Sequence, residues 1–128
     1  MARSKNISRQ PRKQRKKIYN EPIHTSRKHM GSHLSLELRE KYKWLRTIPV
    51  RKGDTVKVMR GSFKGIVGKV ATVDSRSGLI TIEKATISKV DGTQTAREIR
   101  PSNVIITRLD LSDPYRRRKI EGIKEGTD

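Results

Sequence analysis

The chain has 128 residues, of which 31 are Lys or Arg and 13 are Asp or Glu; 31% are hydrophobic, and the formal net charge is +18. That composition excludes a core running the whole length, but leaves room for one small barrel of roughly 50–60 residues. Self-repulsion at such a charge calls for a polyanionic partner, nucleic acid ahead of an anionic membrane. The absence of cysteine removes disulfides and Cys-based zinc sites and suits a reducing compartment. No apolar run approaches the roughly 18 residues of a membrane span. The start MARSKN lacks the apolar region of a signal peptide, so the expected location is cytoplasmic.

In chain order, residues 1–20 form a basic tail. Arg3, Lys5, Arg9, Arg12, Lys13, Arg15, Lys16 and Lys17 occur there without one acidic residue. Pro11 stands at a favourable first helical position, yet nothing apolar enough for a core accompanies it. The tail is therefore expected to be disordered alone and to fold on a polyanion; a solvated or targeting tail is the plainer alternative.

Residues 21–47 read as helical. Pro22 opens a short helix through Ile23 and Met30. Ser35 caps a second, in which Leu38 and Tyr42 share a face. Glu37 in its first turn and Lys41 and Lys43 in its last suit the helix dipole. This weak apolar face can dock on a barrel but cannot make a core. His24, His29 and His33 include a pair at four-residue spacing, but no nearby carboxylate or cysteine offers a third ligand. No metal is expected, and phosphate or base contact is the preferred role for His29 and His33.

Over residues 48–108 the period changes to two. Strand-like runs are Val56–Val58, Val67–Val73, Leu79–Ile82, Ala85–Val90 and Val104–Thr107, separated by turn signals, including a two-residue hairpin turn at Asp91-Gly92. Five short strands with tight turns predict a small closed β-barrel, which leaves no exposed edge. Residues 109–128 give a short helix from Pro114 to Gly122 carrying Arg116, Arg117, Arg118 and Lys119, then a loose acidic end with Glu125 and Asp128.

The stretch KGDTVKVMRGSFKGIVGKV, Lys52 to Val70, combines valines, glycines and cations. It is not a P-loop: Gly68-Lys69 is followed by Val70, and Phe63 stands where the earlier glycine is needed. The dinucleotide pattern fails at the same residue. Gly53, Gly61, Gly65 and Gly68 are expected to serve turns, through positive φ or close backbone approach. Asp54 is expected to cap the strand entry through backbone N–H groups. A purely structural reading of the glycines leaves Arg60, Lys64 and Lys69 unexplained. A glycine-rich turn with flanking cations can bring phosphates to exposed N–H groups. Phe63 at the tip either stacks on a base or anchors the loop, with stacking preferred.

Val50, Gly53, Asp54, Val56, Val58, Gly61, Lys64, Gly65, Gly68 and Val70 resemble the KOW motif of SH3-like barrels in ribosomal and transcription-elongation proteins. The flanks SRKHMGSHLSLELREKYK and IRPSNVIITRLDL extend the resemblance to the archaeal–eukaryotic branch of large-subunit ribosomal protein L-twenty-four, numbered twenty-six in eukaryotes. It runs from the basic N-terminus to about Tyr115. The resemblance implies a mainly β, SH3-like (KOW) barrel with basic, partly helical extensions, and a structural, non-enzymatic protein. It further implies direct binding to large-subunit rRNA near its 5′ end, early assembly, and a place beside the polypeptide tunnel exit. Neighbouring ribosomal proteins are expected partners, with factors at the exit as further candidates. No cofactor, metal, membrane span or homo-oligomer is expected. The end soon after Arg118, without a long lysine-rich tail, suggests an archaeal-type member.

The rivals are weaker. A KOW-bearing elongation factor usually places an α/β domain before the barrel, which the 47 polar, basic residues preceding it cannot build. A peptide-binding SH3 domain needs an aromatic-lined groove, and a stacking platform for single strands needs bases on aromatics, yet aromatics are 4% of the chain. No paired carboxylates, Ser-His-Asp set or nucleophilic cysteine suggest an enzyme. The expected RNA contacts are thus the eight tail cations with Arg27, Lys28, His29, His33, Arg60, Phe63, Lys64, Lys69, Arg116, Arg117 and Arg118.

Overall fold

The computed structural model describes residues 7–43 and 45–125, and side chains as far as residue 122. Helix α1 (Pro11–Tyr19) begins on proline and carries Lys16 and Lys17 in its last turn, where cations suit the dipole. None of its residues is buried. One turn of helix, α2 (Ile23–Ser26), runs into a 3-10 turn (Arg27–Met30), and Met30 is the first side chain to enter the core.

Seven strands form one mixed sheet. They are β1 (Gly31–Leu34), β2 (Thr47–Pro49), β3 (Thr55–Val58), β4 (Val67–Asp74), β5 (Leu79–Ser88), β6 (Gln94–Ile99) and β7 (Val104–Arg108). Their order is β2-β1-β7-β3-β4-β5-β6, and only β1 and β7 run parallel. Period-two burial follows the valines: Val56 and Val58 face inward with Lys57 outward, and Ile80 and Ile82 do the same on β5. Register shifts occur between Val70 and Thr72 and between Thr81 and Thr86. Such irregularities bend and twist a strand, and here they let the sheet roll. Ile48 at one end of the strand order and Ile99 at the other join the same core as Leu34, Val56, Val70, Ile82 and Ile106. The fold is mainly β, a small SH3-like barrel with helical extensions.

Several details differ from the sequence expectation. The helical reading of residues 21–47 misses β1 and β2: Ser32 pairs with Ile48 and His33 with Ile105. The buried Ser32 hydroxyl lies 2.9 and 2.6 Å from the carbonyls of Pro101 and Val104, tying β1 to the turn before β7. The capped helix, α3 (Leu36–Lys41), is present but short, and the Ser35 hydroxyl accepts from the Leu38 N–H as expected. Leu79–Ile82 and Ala85–Ser88 belong to one strand, because the bulge at Glu83-Lys84 shifts the alternation and still buries Ala85, whereas Lys89 and Val90 fall outside it. The strand order has ends at β2 and β6, so two edges remain where none was expected. The β5–β6 turn is also longer than two residues: the Lys89 N–H donates to the Thr93 carbonyl (2.8 Å), enclosing three residues. The last helix, α4 (Pro114–Glu125), passes through Gly122 instead of stopping there.

Candidate nucleic-acid interface

The β3–β4 loop is closed upon itself. Gly65 N–H donates to the Val58 carbonyl (2.8 Å), Lys64 N–H to Gly61 (3.2 Å) and Ile66 N–H to Phe63 (3.1 Å). These amides are therefore not offered to phosphates, contrary to the expectation for a glycine-rich turn. The loop offers side chains instead, for Arg60 and Lys64 are exposed on it and Lys69 on the adjoining strand. Gly65 adopts φ +92 with open space around it, whereas Gly68 serves close approach. A Cβ at Gly68 would lie 2.8 Å from Cγ2 of the buried Ile82. Gly53 and Gly61 also stand at positive φ in their turns. Phe63 is half-buried against the core, so it anchors the loop and the stacking preference is corrected.

Asp54 does more than cap the strand entry. Its carboxylate accepts from the Arg51 N–H (3.0 Å) and the Asp110 N–H (2.9 Å), as a capping role requires. It also receives both terminal nitrogens of Arg116, at 2.6 and 2.7 Å. Arg116 completes its hydrogen bonding on the carbonyls of Asp110 and Pro49 and is 4% exposed. An arginine whose donors are spent inside the protein cannot neutralise an external phosphate, so Arg116 leaves the expected cationic cluster. Arg117 and Arg118 remain exposed, Arg117 with a bond to the Leu111 carbonyl.

Asp113 starts α4. Its carboxylate pairs with Arg51 and accepts from the Tyr115 N–H at 3.0 Å. The Arg51 hydrogen bond, chiefly, holds the Asp113 carboxyl below its ordinary value. The nearby Asp110 carboxyl is lowered too, first by the Ser112 N–H and then by the Ser112 hydroxyl. Gly53 stands at φ +96, which explains a glycine there; an added Cβ would also meet the Asp110 carboxylate at 2.6 Å, a side chain free to shift.

The remaining cations lie on several faces. Arg9, Arg12, Lys13, Arg15, Lys16 and Lys17 are all exposed on or just before α1; Arg3 and Lys5 lie outside the described residues, as does Asp128. The Glu125 side chain is likewise outside the description. A groove of about 780 Å³ separates Arg15, Ile18 and Tyr19 of α1 from Arg76, Ser77 and Arg100. Arg27, Lys28 and His29 are exposed on the 3-10 turn, and His29 Nε2 lies 3.0 Å from a Glu21 carboxylate oxygen. The sequence reading missed that carboxylate neighbour, although no group of three metal-ligating side chains gathers among the described residues. His33 is exposed on β1, with Nδ1 3.2 Å from an Arg39 guanidinium nitrogen. In contrast, the β5–β6 arm from Glu83 to Glu98 balances Lys84, Lys89 and Arg97 against Glu83, Asp91 and Glu98. The excess charge is thus concentrated away from that arm.

A second groove, about 760 Å³, was not foreseen. Arg27 and Lys28 border it from the 3-10 turn, Arg51 and Lys52 from the segment after β2, and Lys119 from α4. Nothing local distinguishes Lys52 or Lys119 from any other surface lysine. Only the docking of α4 brings them beside Lys28.

The chain is thus a small, mainly β barrel with solvent-facing cations and basic helical extensions. The model of the family that unites the eukaryotic ribosomal proteins L-twenty-six with the archaeal ribosomal proteins L-twenty-four matches residues 8–122, and the chain belongs to that family. It is 49% identical over 115 residues to the large ribosomal subunit protein uL24 of Methanosarcina barkeri, covering 90% of this chain and 98% of that one. It is 48% identical over 112 residues to uL24 of Methanothrix thermoacetophila, covering 88% and 96%. Both support the archaeal–eukaryotic branch suggested by the sequence.

Proposed function

We propose that the chain is a structural protein of the large ribosomal subunit, ribosome-bound in the cytoplasm, that binds the large-subunit rRNA directly. In this reading it attaches near the rRNA 5′ end early in assembly and comes to lie beside the polypeptide tunnel exit. Family membership over residues 8–122 carries the proposal. Charge supports it: the formal net charge of the chain is +18, and exposed cations stand on α1, the 3-10 turn, the β3–β4 loop and α4, while the core is small and ordinary. A-form RNA is recognised mostly through its shape and backbone, and many cations with few exposed aromatics suit that task. The barrel acts as a rigid spacer from which Arg60, Lys64 and Lys69 reach one RNA segment, and α1 and α4 reach others. Neutralising phosphates on separate segments lets them approach, which is how a protein without catalytic groups can promote folding of RNA.

Sedimentation through a high-salt cushion tests the reading. The protein is expected to remain with the large subunit and to be absent from the small one. Release together with loosely bound factors would overturn it.

A further inference from the structure

Four chain segments contribute to the groove between the 3-10 turn and α4. Arg27, Lys28, Arg51, Lys52 and Lys119 line it with two carboxylates, Asp110 and Asp113. Arg116 lies beneath and is spent on Asp54. Arg51 is paired with Asp113. Among the described residues, no carboxylate pairs with Arg27, Lys28, Lys52 or Lys119. These four like charges converge across one concavity although solvated lysines are free to spread. The start of α4 is itself closed to anions, because Asp113 already occupies the Tyr115 N–H. The ligand-facing chemistry is therefore side-chain cations, supplemented by hydroxyls of Ser75 and Ser112 on the walls.

We propose that this groove seats a run of RNA phosphates, gripped from one side by Arg27 and Lys28 and from the other by Lys52 and Lys119. The inference rests on the reading of the chain as an rRNA-binding protein and adds a particular site to it. An open, polar-rimmed concavity accepts a backbone whose charges are spaced along a strand. The convergence of cations from the first and last thirds of the chain would also make RNA binding and α4 docking mutually supportive, since any ligand held between them favours the docked state.

The test compares two triple variants of the full-length protein against large-subunit rRNA over a salt series. One is Lys28→Ala with Lys52→Ala and Lys119→Ala; the other removes the same charge from α1, as Lys13→Ala with Lys16→Ala and Lys17→Ala. At roughly 0.7–0.9 per phosphate contact, the groove variant is expected to flatten the log–log salt slope by about two to three units. Affinity near 0.1 M salt should fall on the order of a hundredfold. A shallow slope for the unaltered protein would sink the RNA reading as a whole. A steep slope left unchanged by the groove variant, but reduced by the α1 variant, would sink the groove alone. A photo-crosslinking side chain placed at Ser112 in assembled particles gives an independent answer: attachment to RNA is expected, and attachment only to a neighbouring protein would overturn the proposal.

Discussion

Arg116 of α4 sets its two terminal nitrogens against the two carboxylate oxygens of Asp54, at 2.6 and 2.7 Å, with neither side chain more than 4% exposed. Asp54 sits just before β3, so this bidentate contact joins the last helix to the entry of the barrel across 62 positions of sequence. Each carboxylate oxygen also accepts one backbone N–H, and the guanidinium also reaches two carbonyls. Burying two ions is unfavourable unless their hydrogen-bonding capacity is met in this way. The pair is thus a docking device for α4, whose other core anchor among the described side chains is Ile120.

Asp54→Ala leaves a buried guanidinium without its counter-ion and is expected to destabilise the protein by about 3–5 kcal/mol. Replacing both partners, as Asp54→Ala with Arg116→Met, removes the uncompensated charge and should recover much of that loss. Arg116→Lys should not, because an ammonium cannot span two oxygens. Urea midpoints of the three variants decide the matter; a double variant as unstable as Asp54→Ala would show that the ion pair is not the reason.

Two glycines of the β3–β4 region should fail for different reasons. Gly68→Ala forces a methyl group against Ile82, and Gly65→Ala forces an alanine into positive φ, each at a cost of about 1–3 kcal/mol. A second change, Ile82→Leu, moves the branch away from Cβ and so removes the Cγ2 methyl that a Cβ at Gly68 would meet; measured against Ile82→Leu alone, it should soften Gly68→Ala but leave Gly65→Ala untouched. Lys64→Ala should leave the thermal midpoint close to that of the parent. Equal midpoints for Lys64→Ala and Gly65→Ala would defeat this division between conformation and surface charge.

The alternation of Val56, Val58, Ile80 and Ile82 made the centre of the barrel legible, because valine and isoleucine at period two are the mark of a half-buried strand. The edges were not legible. β6, Gln94 to Ile99, buries only Ile99 and so carries no apolar rhythm, while Gly31–Leu34 is too short to outweigh the helical signals around it. Phe63 and Arg116 show the corresponding weakness at the site. Residue type suggested contact with RNA for both, but their tertiary partners, the core and Asp54, lie far away in sequence. The same long-range docking that takes Arg116 out of the surface brings Lys52 and Lys119 together with Lys28, which no spacing rule anticipates.

Acid should loosen α4 before it unfolds the barrel. The Asp113 carboxyl is held below its ordinary 3.8, first by the hydrogen bond from Arg51 and also by the Tyr115 N–H. With the folded value depressed, the unfolded chain binds the proton more readily. The contribution is therefore complete above 3.8 and is lost as pH falls through the folded value. Asp113→Asn should lower stability near neutrality yet flatten its decline as pH falls through the ordinary carboxylate range and below. Hydrogen exchange of α4 amides against those of β3 is the suitable readout; an acid response unchanged by Asp113→Asn would assign the sensitivity elsewhere.

The N-terminal helix offers the widest lever on binding. No residue of α1 is buried, so tertiary packing does little to hold it, and a nine-residue helix is marginal in isolation. Its amides are expected to exchange rapidly in the free protein and to be protected on rRNA. Its cations should act through counterion release, because each phosphate they neutralise frees condensed ions. Removing residues 1–19 deletes eight basic side chains, yet leaves every core residue in place. The folded barrel should therefore keep its thermal midpoint while the log–log salt slope of rRNA binding flattens by several units, at roughly 0.7–0.9 per lost phosphate contact. Lys64→Ala should change the slope by about one unit on the same scale. A base-reading tail would behave otherwise: its loss would relax preference among RNA sequences and leave the salt slope steep. If truncation alters neither slope nor preference, α1 is a passive extension, and the charge that binds rRNA lies on the barrel and α4.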